Sequence, residues 1–168
     1  MRKVVGKGSV VAVCVRPLGG IPKFPQDSIK ISKYGFLGDF HCRQFRESRT
    51  KPGTYKHNER QVTIVAQEVL DLVNKDLKLK KPLKPGDLGE NITVTGLGDL
   101  SKIKPWSLIR LNRNILLRVT EQNTPCKKLL PYHKKIIKVL IGRRGLLCEV
   151  LKGYGASLRP GNKVVIIE

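Results

Sequence analysis

The stretch SLIRLNRNILLRVTEQ, residues 107–122, decides the fold class because it has the pattern of a β-hairpin. Two runs rich in Leu, Ile and Val flank LNRN (111–114), which has the composition of a tight turn. Six further segments carry strand-like runs of β-branched or alternating apolar residues, and they span 4–17, 27–35, 61–66, 91–96, 145–153 and 163–168. About eight strands in a chain of 168 residues predict a closed or nearly closed β-barrel.

Two helices are expected beside the barrel. The segment AQEVLDLVNK, 66–75, places its apolar residues at helical spacing. The segment CKKLLPYHKKIIKVL, 126–140, is the second, and Pro131 must break or kink it. We therefore predict a mainly β protein, a barrel with two or three short helices, that forms a single domain over residues 1–168.

The charge of the chain is unusual for a protein of ordinary hydrophobic content. It has 33 Lys and Arg against 13 Asp and Glu, a formal net charge of +20. Such a charge attracts anions, whether nucleic acid, anionic lipid or a phosphorylated small ligand, although a basic proteome or a hot habitat would explain it equally well. The segment 43–58 is a predicted basic loop whose length suggests a function, and 77–87 is a second predicted loop.

The cysteines and the N-terminus indicate a cytoplasmic protein. No apolar run reaches the ~20 residues of a membrane span, and the N-terminus has no cleavage site of a signal peptide. The four cysteines show no Cys-x-x-Cys spacing, so a zinc site built from two such pairs is not expected. Free thiols in a reducing compartment are expected instead. Cys14 and Cys148 alternate with apolar strand residues and are predicted to lie in the core.

A different environment is predicted for Cys126. Thr124 can cap a helix and Pro125 suits the first helical position, which would place Cys126 in the first turn, where amide dipoles favour an anion. Lys127 and Lys128 add positive charge, so the thiolate would be favoured over the thiol. A buried cysteine that only packs against its neighbours is the alternative.

Two glycine-rich stretches and one basic turn are the other candidate site segments. The stretches are GFLGDFHC (35–42) and PGDLGENITVTGLGDL (85–100), and neither is followed by the Gly-Lys-Ser/Thr of a P-loop. Both could instead be tight turns of the barrel. The turn GRRG (142–145) carries Arg143 and Arg144, which could grip a phosphate or simply be solvated.

Taken together, these segments resemble the MOSC family, named for the C-terminal domain of molybdenum cofactor sulfurase. The matching pieces run in family order: G-x-x-GD-x-H at 35–41, RQV at 60–62, PG-x-LGEN at 85–91, PC at 125–126 and GRRG at 142–145. The resemblance implies a β-barrel and a link to the molybdenum cofactor, a phosphorylated pterin dithiolene that holds molybdenum. It also implies that Cys126 is the key sulfur, either as a persulfide carrier or as a molybdenum ligand.

The resemblance also assigns expected roles to the other motif residues. Four cations would complement the phosphate and oxo groups of the anionic pterin cofactor: Arg60, Lys127, Arg143 and Arg144. Four further residues are expected to bind the cofactor or form the pocket wall: Asp39, His41, Glu90 and Asn91. No pyridoxal phosphate is expected within this chain, so sulfur would come from an external donor such as a cysteine desulfurase, and a molybdoenzyme would receive the product.

Two rival functions stay open at this point. Within the same family, the chain could be a molybdenum-dependent reductase of N-hydroxylated compounds, with Cys126 as the metal ligand. Outside it, the net charge of +20 would suit a basic barrel that binds nucleic acid, although no recognition motif for RNA or DNA is present.

Overall fold

The computed structural model describes residues 1–168 and contains thirteen β-strands, two α-helices and one 3-10 turn. The strands are β1 (Val4–Val15), β2 (Phe24–Gln26), β3 (Ile29–Ser32), β4 (Gly35–Phe36), β5 (Phe45–Glu47), β6 (Tyr55–His57), β7 (Val62–Ala66), β8 (Ile92–Thr95), β9 (Leu108–Leu111), β10 (Ile115–Gln122), β11 (Leu146–Lys152), β12 (Ser157–Leu158) and β13 (Lys163–Ile167). The helices are α1 (Gln67–Leu77) and α2 (Ile136–Leu140), and the 3-10 turn is Lys127–Leu129.

Seven strands close into a barrel in the order β13-β9-β10-β11-β7-β8-β1, because β13 also pairs with β1. The pairs are antiparallel except for β7 and β8, which run parallel and are joined through α1. Parallel strands need such a crossover, whereas antiparallel ones can be joined by a tight turn. The predicted hairpin is β9–β10, with Leu111 opposite Ile115 across the turn. The β-barrel prediction is therefore confirmed.

The long strand β1 runs from the seam with β13, where the barrel closes, towards a cavity at its other end. Its first half pairs with β13, its middle with β8 and its end with β2. The register with β8 shifts between Val10 and Ala12, and such a bulge lets one strand bend between partners. Beyond β1 the chain forms the loop 16–23, which lines part of the cavity.

The core fills the barrel and continues beneath α1. Alternate residues of the strands point inward, as Ile115, Leu117 and Val119 of β10 do, and α1 buries Val69, Leu70 and Val73 on one face. The two predicted core cysteines, at 14 and 148, are fully buried. Burial raises the pKa of Cys14 to about 12. That thiol is therefore both inaccessible and unreactive.

One local prediction is wrong and another is confirmed. The segment 43–58 is not a loop throughout, because Phe45–Glu47 and Tyr55–His57 pair as a hairpin. The segment 126–140 is interrupted around Pro131, as predicted. It contains only the 3-10 turn and the five residues of α2, since Pro131 lacks the N–H and the space that a continuous helix requires. No helix of the structure combines the length and the apolar character that a membrane crossing needs.

Candidate functional site

A cavity of about 620 Å³ lies where the segment that follows β10 meets the turn that precedes β11. Its wall includes Cys126 and Arg144 from these two segments, together with His41 and Arg49 from the region between β4 and β6. The volume falls within the range of ordinary small-molecule sites. The cavity therefore brings together side chains that are far apart in the sequence.

Cys126 stands at the surface of this cavity with an exposed side chain. The prediction that it lies in the first turn of an α-helix is wrong: its backbone is extended, with φ −135° and ψ 169°, immediately before the 3-10 turn. Partial burial raises the pKa of the Cys126 thiol, but the backbone amide of Lys128 and the Arg144 guanidinium outweigh it, and the pKa lies below its ordinary value. The thiolate is thus favoured, although not by a helix dipole.

The Arg144 guanidinium lies beside that thiolate. Its Nη1 lies 3.5 Å from Cys126 Sγ and donates to the Thr124 carbonyl at 2.7 Å, while Nη2 donates to the Leu88 carbonyl at 3.1 Å. The residue is only 8% exposed, forms no ion pair, and its Nε has no hydrogen-bond partner. A buried charge without a counterion is costly, so the thiolate or a bound anion is the natural partner of this guanidinium.

The other Lys and Arg side chains of the wall add further positive charge. Arg49, Arg60, Lys127 and Lys128 line the cavity, and no Asp or Glu does. Burial lowers the pKa of Arg49, and the neighbouring charge of Arg60 lowers it further. The Nε of Arg60 donates to Glu121 Oε1 at 2.6 Å, outside the wall. The wall therefore carries more positive charge than its own neighbours neutralise, which favours an anionic ligand.

Behind the cavity lies a buried array of Lys23, Asp39 and His41. Lys23 Nζ donates to Asp39 Oδ2 at 2.9 Å, and both side chains are almost fully buried. The same Nζ lies 3.3 Å from Nδ1 of His41, whose partly exposed ring faces the cavity. Asp39 also accepts the backbone N–H groups of Arg16 and His41, each at 3.0 Å. The carboxylate thus fixes the position of both basic side chains.

Replacing Asp39 by Asn is expected to destabilise the fold by about 3 kcal/mol at pH 7, because it leaves Lys23 as an unpaired buried charge. Burial raises the pKa of Asp39, but hydrogen bonds and the Lys23 charge lower it more, so it lies well below its usual range. A lowered carboxyl pKa stabilises the fold fully above the unfolded pKa of about 4, and the contribution fades as the pH falls below it.

Urea unfolding at a series of pH values measures this effect. The stability difference between wild type and Asp39→Asn should be constant from pH 7 to about pH 5 and shrink below about pH 4. A difference that stays constant down to pH 2 would show that the carboxylate charge is not the stabilising feature.

Comparison with known proteins places this chain in a family. The model of the MOSC domain matches residues 53–165, which is most of the chain. The chain belongs to the MOSC family. It is 28% identical over 141 residues to YuaD of Bacillus subtilis, named a putative metal-sulfur cluster biosynthesis protein, and the match covers 74% of this chain and 72% of YuaD. Family membership relates the chain to functions of the molybdenum cofactor.

Solved structures share the fold. The crystal structure of YuaD superposes with a TM-score of 0.87 at 21% identity and covers 100% of this chain and 99% of its own. YiiM from Geobacillus stearothermophilus gives a TM-score of 0.65 at 19% identity over 100% of this chain and 76% of its own. YiiM from Escherichia coli gives 0.66 at 18% identity over 96% and 70%.

The MOSC motif residues divide into those that line the cavity and those that support it. Arg60, Lys127, Arg144, His41 and Cys126 line it. Asn91, Glu90 and Asp39 are buried and do not line it. Arg143 is also absent from the wall, and its exposed side chain instead points its Nε at Asp99, 4.0 Å from Oδ2.

The buried motif residues Glu90 and Asn91 hold the wall together. Asn91 Oδ1 accepts the N–H of Thr63 at 3.1 Å, and its Nδ2 donates to the Cys14 carbonyl at 3.0 Å, which ties β8 to its neighbours. Glu90 Oε1 accepts from Gly86 and Thr93, and complete burial raises the pKa of this carboxyl. These contacts brace the segments behind the wall, and neither side chain lines the cavity.

Sequence reasoning did not single out Arg49 or Lys23. Arg49 lies within the basic segment 43–58, and its six Lys, Arg and His side chains offered no reason to choose one. Lys23 lies between Pro22 and Phe24 and looks like a surface lysine, so only the folded chain shows that it is buried against Asp39. No local pattern in the sequence distinguishes Arg49 or Lys23 from the other cations of the chain.

Proposed function

We propose that this protein binds the molybdenum cofactor in the cationic cavity and carries sulfur on Cys126. The observation that carries the proposal is the 3.5 Å approach of the Arg144 guanidinium to Cys126 Sγ on a cavity wall without acidic residues. An exposed thiol with a lowered pKa is the condition for nucleophilic sulfur chemistry. A structural cysteine, such as Cys148, is buried and has a raised pKa instead.

The residues present fit an anionic cofactor. The unpartnered Nε of Arg144 supplies a buried donor, and the other cations of the wall supply charge for a phosphate. No group of three or more His, Cys, Asp or Glu side chains that could hold a metal ion exists in the structure. A metal at Cys126 would therefore have to bring most of its ligands with it, as a dithiolene-bound metal does.

Each wall residue has a distinct role in the proposal. Arg144 and Lys128 favour the Cys126 thiolate, while Lys127, Arg60 and Arg49 would hold the anionic end of the cofactor. Arg143 is not assigned to the cofactor, because it lies outside the wall. When bound, the cofactor supplies a molybdenum centre that can take a sulfur ligand, and Cys126 supplies a soft thiolate beside it.

The loading step uses a donor that carries a persulfide, such as a cysteine desulfurase. The Cys126 thiolate attacks the outer sulfur of the donor persulfide, and a sulfur–sulfur bond forms at Cys126 as the donor's own sulfur–sulfur bond breaks. The donor leaves as a thiolate, so one neutral sulfur atom is transferred and no external oxidant or reductant is needed. The positive wall would stabilise the anionic persulfide that results.

The relatives support this role without deciding it. YuaD carries a name that concerns metal-sulfur cluster biosynthesis, and a sulfur carrier would suit such a process. The MOSC match places the chain among proteins related to the molybdenum cofactor, which a reductase would also satisfy.

The sulfur-loading experiment incubates the protein with a cysteine desulfurase, its pyridoxal phosphate and free cysteine. Intact mass spectrometry should show a gain of one sulfur atom that dithiothreitol removes, and Cys126→Ser should show no gain. Cys42→Ser is the matched control, because Cys42 is also a partly accessible thiol, and it should load as the wild type does. Loading of Cys126→Ser would contradict the proposal. Turnover of an N-hydroxylated compound by cofactor-loaded protein with an electron donor would favour the reductase.

Replacing Glu121 by Gln is expected to strengthen the binding of an oxyanion in the cavity. The carboxylate of Glu121 accepts from Arg60 Nε at 2.6 Å, and its removal frees that guanidinium for a ligand. Rim ion pairs contribute about 0.5 kcal/mol or somewhat more, so the Kd for inorganic phosphate should fall about two- to five-fold. Isothermal titration calorimetry at low salt measures it, and an unchanged or higher Kd would show that Arg60 does not face the ligand.

A further inference from the structure

The buried array of Lys23, Asp39 and His41 has a geometry that packing alone does not require. A lysine that is 2% exposed is costly to bury, and its ammonium is placed between a carboxylate and an imidazole rather than beside the carboxylate alone. The imidazole ring is the member of the array that reaches the cavity. A chain of polar contacts therefore connects the protein interior to the ligand space.

The hydrogen-bond partners determine which nitrogen of His41 carries the proton. An ammonium only donates, so the Lys23 Nζ at 3.3 Å requires Nδ1 of His41 to accept. Asp39 Oδ2 lies 3.4 Å from the same Nδ1, but this oxygen already accepts from Lys23 Nζ at 2.9 Å and from the His41 backbone N–H at 3.0 Å. The neutral ring then carries its proton on Nε2.

We propose that Lys23, Asp39 and His41 form a proton relay that ends in the cavity, with His41 giving a proton through Nε2 to the bound ligand. Lys23 returns a proton to Nδ1 in the same step. The ring is neutral before and after with its proton on the other nitrogen, Lys23 becomes a neutral amine, and the ligand gains one proton. No electrons move, and Asp39 stays ionised throughout.

The surroundings suit each state of the relay. Burial lowers the pKa of Lys23 while Asp39 raises it again, and the net pKa is below its ordinary value, so this lysine gives up a proton more readily than an exposed one. Asp39 keeps its charge because it accepts from the Lys23 ammonium and from the backbone N–H groups of Arg16 and His41, which favour the ionised carboxylate. The other charged groups that line the cavity are the cations Arg49, Arg60, Lys127, Lys128 and Arg144.

The ligand class follows from this direction of transfer. A relay that supplies protons to a cationic cavity suits an anion with an oxygen or nitrogen atom that must be protonated before it leaves. A thiolate leaving group would need no such help, because the cavity already favours the anionic form of sulfur at Cys126. The identity of this ligand rests on the proposed function, whereas the proton position on His41 is a property of the protein alone.

Nitrogen-15 NMR of the His41 ring tests the relay in the protein without cofactor. At pH 7 the wild type should show Nδ1 as an acceptor and Nε2 as the protonated nitrogen. In Lys23→Met the Asp39 carboxylate is the remaining partner of Nδ1, so the proton should move to Nδ1. A proton on Nδ1 in the wild type would overturn the proposal even if Lys23→Met does not fold, as would an unchanged ring in a folded Lys23→Met.

A second measurement tests whether the relay ends in the cavity. Alkylation of Cys126 with iodoacetate tethers a carboxylate there, and alkylation with iodoacetamide tethers a neutral group of nearly the same size. The Nε2–H proton resonance of His41 should move downfield with the carboxylate and stay close to its original position with the amide. Equal shifts for both adducts, or none, would overturn the proposal. Sulfur loading of Cys126 is measured independently, so its failure would be distinguished from failure of the relay.

Discussion

Arg144→Met should react with iodoacetamide at Cys126 about five-fold more slowly than the wild type at pH 7. The substitution removes the guanidinium whose Nη1 lies 3.5 Å from Sγ, and loss of a charge-assisted contact to a partly exposed group costs about 1 kcal/mol. The pKa of Cys126 should rise accordingly, and the thiolate fraction at pH 7 should fall. Met keeps much of the length of the side chain, so the packing near Leu88 is disturbed as little as the change allows.

The measurement is the rate of alkylation as a function of pH, followed by intact mass. The curve for Arg144→Met should shift to higher pH and reach the same plateau as the wild type, because the plateau reports the fully ionised thiol. Arg143→Met is the matched control, since Arg143 is the neighbouring arginine and lies outside the cavity; its curve should overlie that of the wild type. Coincident curves for Arg144→Met and the wild type would mean that Arg144 does not hold the thiolate.

Gly145→Ala should destabilise the protein by about 2–5 kcal/mol. Gly145 has φ +90°, and a Cβ added there would overlap the Ile64 carbonyl of β7. The left-handed backbone costs a residue with a side chain about 1–2 kcal/mol, and overpacking against a neighbouring strand costs about 1–3 kcal/mol more. The carbonyl of Gly145 also accepts the N–H of Asn123 at 2.8 Å, so a shift here would move both segments that hold Cys126 and Arg144.

Urea unfolding decides this prediction, with Gly142→Ala as the matched control in the same GRRG turn. Gly142 has φ +72°, and nothing lies within 4 Å of an added Cβ, so only the backbone cost of about 1–2 kcal/mol should appear. The difference between the two variants isolates the contact with β7. Equal destabilisation by both variants would show that the close approach of Gly145 to Ile64 is not required.

The barrel could be predicted from the sequence because its strands carry their own pattern. The segment 107–122 has apolar runs on either side of a polar turn, and the structure pairs Leu111 with Ile115 as that pattern requires. The short pairings were not predictable in the same way. Strands of two or three residues, such as Gly35–Phe36 and Phe45–Glu47, are too short for an alternating pattern to stand out.

The thiolate at Cys126 was predicted for a reason that the structure replaces. The sequence Thr-Pro-Cys before two lysines indicates a helix start, whose amide dipoles would favour a thiolate. Pro131 interrupts the helix that would supply those dipoles. The stabilising groups are the amide of Lys128, the predicted charge of the same lysine, and a guanidinium that comes from 18 residues further along the chain. The position of Arg144 depends on how β11 packs, and a local pattern does not contain that information.

The buried array behind the cavity was the least predictable feature. The motif residues Asp39 and His41 were expected to bind the cofactor, but the partner that determines their chemistry is Lys23, 16 residues from Asp39. A lysine is the residue type least expected to be buried, and nothing near Pro22 signals it. Long-range ion pairs of this kind are set by the packing of loops, and short-range periodicity does not record them.

A comparison of Cys126→Ser with the wild type tests whether Cys126 holds the metal or the transferred sulfur. Both proteins would be purified from a host that makes the molybdenum cofactor, and each would be analysed for molybdenum by mass spectrometry of the metal and for bound sulfur by intact mass. We expect that the wild type retains molybdenum or carries one additional sulfur atom on Cys126, and that Cys126→Ser, with its fold intact, loses that metal or that sulfur. Equal molybdenum and equal sulfur in the two proteins would contradict it.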